Sequence, residues 1–212
     1  MVIASHVVIS TYGFWLPNDP RGSWSEFVRS WEILKFGTAT KVQDKRSHAY
    51  DEHDRLLRLK AKQALKFPPV AFTGRQALAV AHGFIKAIDE SKYVVYACSI
   101  MPDHVHFVIA RHDRNVERIA GHLKTRSTQQ LGREGLWFSD HRPVWGRRSW
   151  KVFLSGRADV ARAIAYVERN PIREGKPPQK WSFVTPWMGR TANVEQARPL
   201  NERVTECTEH YP

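Results

Sequence analysis

The stretch Met101-Pro102-Asp103-His104-Val105-His106-Phe107-Val108-Ile109 decides how the rest of the chain is read. Pro102-Asp103 is turn chemistry, and the run after it has the length and composition of a buried strand. Successive side chains of a strand point to opposite faces, so His104 and His106 share one face while Val105, Phe107 and Ile109 share the other. The apolar face buries and the imidazoles stay available. Two neutral imidazoles on a rigid strand form a seat for a divalent cation. Imidazole suits zinc, copper, iron and nickel, and other ions fit where substrate oxygens complete the shell. Taken alone, a His-x-His pair is more often two satisfied or solvent-facing histidines, so a second element has to support the metal reading.

Outward from this stretch the pattern is regular. Tyr93 to Ile100 is β-branched and aromatic and pairs with the histidine run as a hairpin. Val2 to Thr11 reads as a first buried strand, and His6 within it reads as structural. Thr73 with Gln76 three residues on is a capping box, followed by Leu78, Ala81, Ile85 and Ile88 at helical spacing. Val116, Ile119, Ala120 and Leu123 mark a second helix, whose other positions expose Arg118, Lys124 and Arg126. Trp145 to Leu154 reads as a fourth strand. The order strand, helix, strand, strand, helix, strand predicts an α+β, ferredoxin-like antiparallel sheet with helices on one face.

After the fourth strand, Val160, Ile164 and Val167 recur at the spacing of one buried helix face. Tyr166 lies off that stripe, beside Arg162, Arg169 and Asn170 at separations that make neighbours on a helix surface. This C-terminal tyrosine-bearing helix is added to the ferredoxin-like order.

Two segments fit the pattern less well. Residues 14–69 read as an insertion: turn chemistry with aromatic anchors from Trp15 to Trp24, a mixed-charge stretch, and a short amphipathic helix suggested by Leu56, Leu59, Gln63 and Ala64. Substrate recognition and packing decoration both remain open for it. Residues 176–212 read as a Pro-rich tail carrying Trp181, Phe183 and Trp187 among Lys176, Lys180 and Arg190; it either packs back on the domain or grips a ligand. The domain division expected is thus 1–175 for the catalytic unit, with its insertion, and 176–212 for the tail.

The formal charge of +12 on 212 residues points to a polyanionic partner. Between Arg111 and Arg157 there are eleven basic residues against four acidic ones. Trp137, Trp145 and Trp150 interleave there with Arg142, Arg147 and Arg148, a mixture suited to phosphates and unpaired bases. No run approaches the ~20 apolar residues of a bilayer span, and the first residues lack a secretory pattern. No segment pairs a broad apolar face with a cationic one, so a membrane surface is disfavoured as partner. Cys98 and Cys207 fit a reducing compartment, and Cys98 in an apolar run reads as core. A cytoplasmic, nucleoid-associated protein is expected.

The Met-Pro-Asp-His-Val-His of 101–106, followed by the Tyr-Val-Glu-Arg-Asn-Pro-Ile-Arg-Glu-Gly of 166–175, resembles the HUH-type single-tyrosine transposases, in particular the REP-associated tyrosine transposases of bacteria. The resemblance is carried mainly by residues 2–12 and 73–175. It implies that the added helix closes over the histidine face and that Tyr166 attacks the scissile phosphate. It further implies a covalent 5′-phosphotyrosine and a free 3′-hydroxyl, with His104, His106 and Asn170 holding a divalent metal, magnesium or manganese. An isolated phenol ionises near pH ~10, so neighbouring cations such as Arg162 or Arg169 are expected to assist. The implied substrate is single-stranded DNA with a hairpin or palindromic repeat, contacted by Arg118, Lys124, Arg126, Arg142, Arg147, Arg148, Arg162 and Arg169. One nucleophile per site leaves a monomer or a homodimer open.

The competing readings are a catalytically inactive or domesticated sequence-specific DNA-binding protein, a replication or conjugation nickase, and a zinc hydrolase that activates water. The last lacks an evident third acidic ligand and would survive Tyr166→Phe.

Overall fold

The computed structural model describes residues 1–42, 48, 50–138 and 141–189. Four strands, β1 (Ala4–Thr11), β2 (Val95–Ile100), β3 (His104–Ala110) and β4 (Trp145–Leu154), form one sheet in the order β2-β3-β1-β4 with every pair antiparallel. Among the described residues there are five helices: α1 (Trp31–Leu34), α2 (Arg55–Gln63), α3 (Gly74–Ser91), α4 (Val116–Arg133) and α5 (Arg157–Arg173). Setting aside α1 and α2, which belong to the insertion, the order is the ferredoxin-like one expected, with α5 appended.

Strand alternation divides the molecule. Val7, Ile9, Val105, Phe107 and Ile109 project to one face and pack with α3 and α4 in the main core. α3 opens at Thr73, whose side chain accepts from Gln76 N while Gln76 reaches back to the Thr73 N–H, satisfying two otherwise orphaned donors. α3 and α4 cross at Gly83, where a Cβ would lie 2.3 Å from Ser127 Cα. Only glycine allows that approach.

On the opposite face, Ala4, Ala97 and Val108 meet Val160, Ala163 and Val167 of α5 in a second apolar cluster. Burying Val160 and Val167 completely contributes roughly 1.5–3 kcal/mol each. That is what pins α5 across the histidine face. The helix does not stop at Asn170: it runs through Pro171 to Arg173, and Asn170 is buried inside it.

Groups from outside the sheet reach both of its edge strands. Along β4, Lys124 Nζ donates to the Gly146 carbonyl at 2.8 Å. Along β2, Gln179 accepts from Ile100 N and donates to Ile100 O, both at 2.8 Å, and Thr185 N donates to Val95 O. Phe183 is buried in the main core and Trp187 packs on Tyr96. The segment set apart as a tail therefore packs with the domain as far as Trp187; Arg190 and Cys207 lie outside the described residues.

The insertion has a small core of its own, Leu16, Ile33 and Ala61. Leu56 and Leu59, expected on the apolar face of α2, are instead exposed, because Leu57 and Ala61 turn that helix inward. Arg21 pairs with buried Asp19 and lies 4.1 Å from the centre of the Trp15 ring, fixing the loop that leaves β1. No helix among the described residues is long and apolar enough to cross a membrane.

Candidate active site

The β1–β3 register sets Ser10 opposite His104 and Val8 opposite His106. His6, two residues before Val8 on the same face of β1, is then the diagonal neighbour of His106. Its Nε2 stands 3.1 Å from His106 Nδ1, and the two rings stack with centroids 5.3 Å apart. The structural reading of His6 is thus incomplete: it belongs to the histidine cluster. The signal was its odd-even parity along the first strand, legible only once that strand is known to pair with the histidine strand in this register.

The turn before β3 is held tightly. Thr11 N donates to Asp103 O at 2.9 Å, and the Thr11 hydroxyl reaches the carbonyls of Val70 and Asp103 at 2.7 and 2.9 Å. The Asp103 carboxylate accepts from His104 Nδ1 at 2.7 Å, which leaves the Nε2 lone pair free to accept. The Asn170 amide lies against that Nε2 at 3.4 Å. Phe14 stacks on the other side of the His104 ring at 5.0 Å.

Tyr166, one turn before Asn170 on α5, presents its ring edge-on to His106 and His6, at centroid distances of 5.5 and 5.7 Å. The cation over its ring is Arg173, at 5.8 Å. Arg162 pairs with Asp159, and Arg169 is exposed on α5. Heptad separation from Tyr166 on one helix is the signal that would have found Arg173.

Burial keeps His6 and His106 neutral. It pushes the His6 pKa down to about 4, and it pushes His106 well below the usual histidine range, with His104 and His6 adding to the effect. Metal ligation requires neutral imidazole. The donor set can seat a divalent ion whose remaining positions substrate oxygens would fill: an imidazole oriented by a carboxylate, a second imidazole, and an amide whose oxygen replaces its nitrogen by a half-turn about χ2. If His106 ligates through Nε2, its proton sits on Nδ1, and His6 Nε2 is placed to accept it. Ser99, directly opposite His106 on β2, adds a buried hydroxyl with no hydrogen-bond partner among the described residues.

The site opens into a cleft of about 1560 Å³ walled on one side by the insertion. Of the cationic residues expected to meet DNA, Arg147, Arg148 and Arg162 line it. The remaining five lie elsewhere. Arg118 is exposed on α4, Lys124 is committed to β4 carbonyls, and Arg126 is paired with Glu90 at 2.8 Å. Arg142 stacks on Trp137 and bonds to Pro68 O, and Arg169 is exposed on α5. Three of these, Arg118, Lys124 and Arg126, sit on α4, the helix that packs against the opposite sheet face, so the basic face of that helix is remote from the histidines.

Two imidazoles, an amide and a tyrosine converge on one face of a four-stranded antiparallel sheet, the face over which α5 lies. Residues 70–170, which contain all four, match the family described as "Transposase IS200 like". That segment is similar to the IS200-like transposases, which bears out the resemblance to the REP-associated tyrosine transposases. A curated protein of Haemophilus influenzae, "Putative REP-associated tyrosine transposase", is 31% identical over 87 residues, covering 37% of this chain and 49% of that protein. The chain thus spans about half the length of that relative. Among solved structures, a REP-associated tyrosine transposase bound to a REP hairpin aligns with 82% of this chain and 68% of its own at 14% identity and a TM-score of 0.45. A putative transposase from Deinococcus radiodurans aligns with 80% and 91% at 12% identity and a TM-score of 0.40.

Proposed function

We propose that the chain cleaves and rejoins single-stranded, hairpin-forming repeat DNA as a transposase, through a tyrosine-DNA linkage. The observation that carries this is the position of Tyr166 and Asn170, one helical turn apart on α5, against His106 and His104. In the proposed step the Tyr166 hydroxyl, losing its proton to solvent in the open cleft, attacks the phosphorus. The Oη–P bond forms as the P–O3′ bond breaks. The leaving oxygen takes a proton and becomes a 3′-hydroxyl, and the 5′-phosphate stays on the tyrosine. Reversal by another 3′-hydroxyl rejoins the strand without a nucleotide cofactor.

His104, His106 and Asn170 would hold magnesium or manganese, which supplies positive charge to the non-bridging oxygens of the scissile phosphate. Asp103 orients His104, and His6 orients His106. Arg173 places a positive charge beside the Tyr166 ring, while Arg147, Arg148 and Arg162 supply cations along the cleft. The REP-associated name of the H. influenzae relative supports a repeat as substrate.

The test is incubation of the full chain with a labelled pool of single-stranded hairpins and magnesium or manganese, followed by denaturing electrophoresis. A metal-dependent protein-DNA adduct, absent in Tyr166→Phe and His106→Ala, is expected. Binding with no adduct across the pool would instead favour the domesticated DNA-binding protein.

A further inference from the structure

The insertion lies outside the segment that matches the family, yet it forms one wall of the cleft. That wall carries Trp24, Phe27, Trp31 and Tyr50, with relative exposures of 37%, 67%, 83% and 70%. Aromatic rings of this size are among the groups a fold most readily buries, and the insertion has its own small core in which to do so. It leaves these four at the cleft instead. Such a cluster marks a binding surface rather than chance exposure.

From the edge of this wall the aromatic surface is continuous with the site. Trp24 meets Trp150 of β4 edge-on at 5.9 Å, Trp150 meets His6 at 5.1 Å, and His6 meets Tyr166 at 5.7 Å. Arg147 and Arg148 project from β4 beside Trp150 and are exposed. Two acidic residues line the cleft, Glu32, which bonds to Ser30, and Glu174 at the end of α5; on the wall itself Glu26 pairs with Lys41 and feels Arg148. The rings of the wall thus face more basic than acidic groups.

We infer that the insertion wall is a stacking platform for unpaired nucleotides flanking the scissile phosphate. Bases lie on Trp24, Phe27 and Trp31 while the backbone follows Arg147 and Arg148. The assignment rests on the strand-cleavage reading of the same site and gives it a substrate form. Exposed flat rings have little to bind in a duplex, whose base faces are hidden, whereas every unpaired base offers a π-face. The arginines beside the rings supply the charge complement that a purely apolar partner would not need.

The test uses the full chain as Tyr166→Phe, so that binding is measured without strand cleavage. A fluorescein-labelled, unstructured oligonucleotide of about 12 nucleotides, within the span of one such groove, is titrated at fixed salt and followed by anisotropy. The same oligonucleotide annealed to its complement is the control. Adding Phe27→Ala and Trp31→Ala together is expected to weaken single-strand binding by about tenfold or more, since each stacked base contributes about that much. Duplex binding should be unchanged, and Trp31→Tyr should restore most of the loss. Because both side chains are largely exposed, the melting temperature should not move.

Unchanged single-strand affinity in the double variant overturns the inference. So does an equal loss for duplex and single strand. If the double variant instead lowers the molecular mass measured by light scattering and leaves DNA binding intact, the wall is a self-association surface and the inference fails. Adduct formation by the chain with Tyr166 intact is measured alongside. Adduct formation with unchanged affinity removes the platform alone, whereas platform binding without any adduct removes the cleavage reading alone.

Discussion

Acid should destabilise this fold through His6, and the size of the effect follows from its burial. A solvated histidine titrates near 6.5, while burial lowers His6 to about 4. The unfolded chain therefore binds a proton that the folded one refuses. Stability is complete above pH 6.5, declines as pH falls below it, and has lost the whole contribution once pH passes below about 4. The full difference amounts to about 3 kcal/mol, of which about 2 kcal/mol is lost between roughly pH 7 and pH 5. His106, held low by the same burial, adds in the same direction. The assay is urea unfolding of wild type and His6→Gln at several pH values, with chelator present so that metal binding does not enter. Glutamine does not titrate, so the stability gap between the two proteins should narrow by about 2 kcal/mol from pH 7 to pH 5, titrating groups that do not touch His6 cancelling in the comparison. A gap independent of pH would refute the reasoning, since His6 would then be protonating as freely in the fold as in the unfolded chain.

Other consequences are structural. Gly83→Ala puts a methyl group 2.3 Å from Ser127 Cα and must part α3 from α4; a net loss of about 2 kcal/mol is expected, read as a melting temperature lower by about 4–8 °C. Phe183→Ala should cost about 3–5 kcal/mol in chemical denaturation if the segment after α5 is part of the core, and almost nothing if it is not. Lys124→Met keeps the aliphatic stem and loses the bonds to β4 carbonyls, so it should lower stability by about 1–3 kcal/mol and leave the salt dependence of DNA binding unchanged. Arg148→Ala should do the reverse.

The fold was legible because its signals are local. A capping box at Thr73, alternation through the histidine strand and helical spacing in 158–170 each follow from short-range chemistry, and together they prescribe the strand order. Spacing placed His104 and His106 on one strand face and Tyr166 beside Asn170 on one helix, but it was the resemblance to the single-tyrosine transposases that joined them into a candidate site. His6 was not, because its role depends on the register of a strand about a hundred residues away in sequence. The cations divide likewise. Periodicity makes Lys124 and Arg126 look like an open basic face, but only the folded chain shows Lys124 spent on an edge strand and Arg126 on Glu90. The exposed rings of the insertion could not be told from core in sequence, since an aromatic residue carries no local mark of which way it faces.

The central claim is that Tyr166 is the atom-bearing nucleophile, and peptide mapping of a trapped product tests it most directly. After incubation with hairpin DNA and metal, nuclease trimming and trypsin digestion, the account predicts a phosphonucleotide mass on the peptide spanning residues 163–169, with Tyr166 as the modified side chain. Cleaved DNA carrying an ordinary 5′-phosphate, with that peptide unmodified, would contradict it.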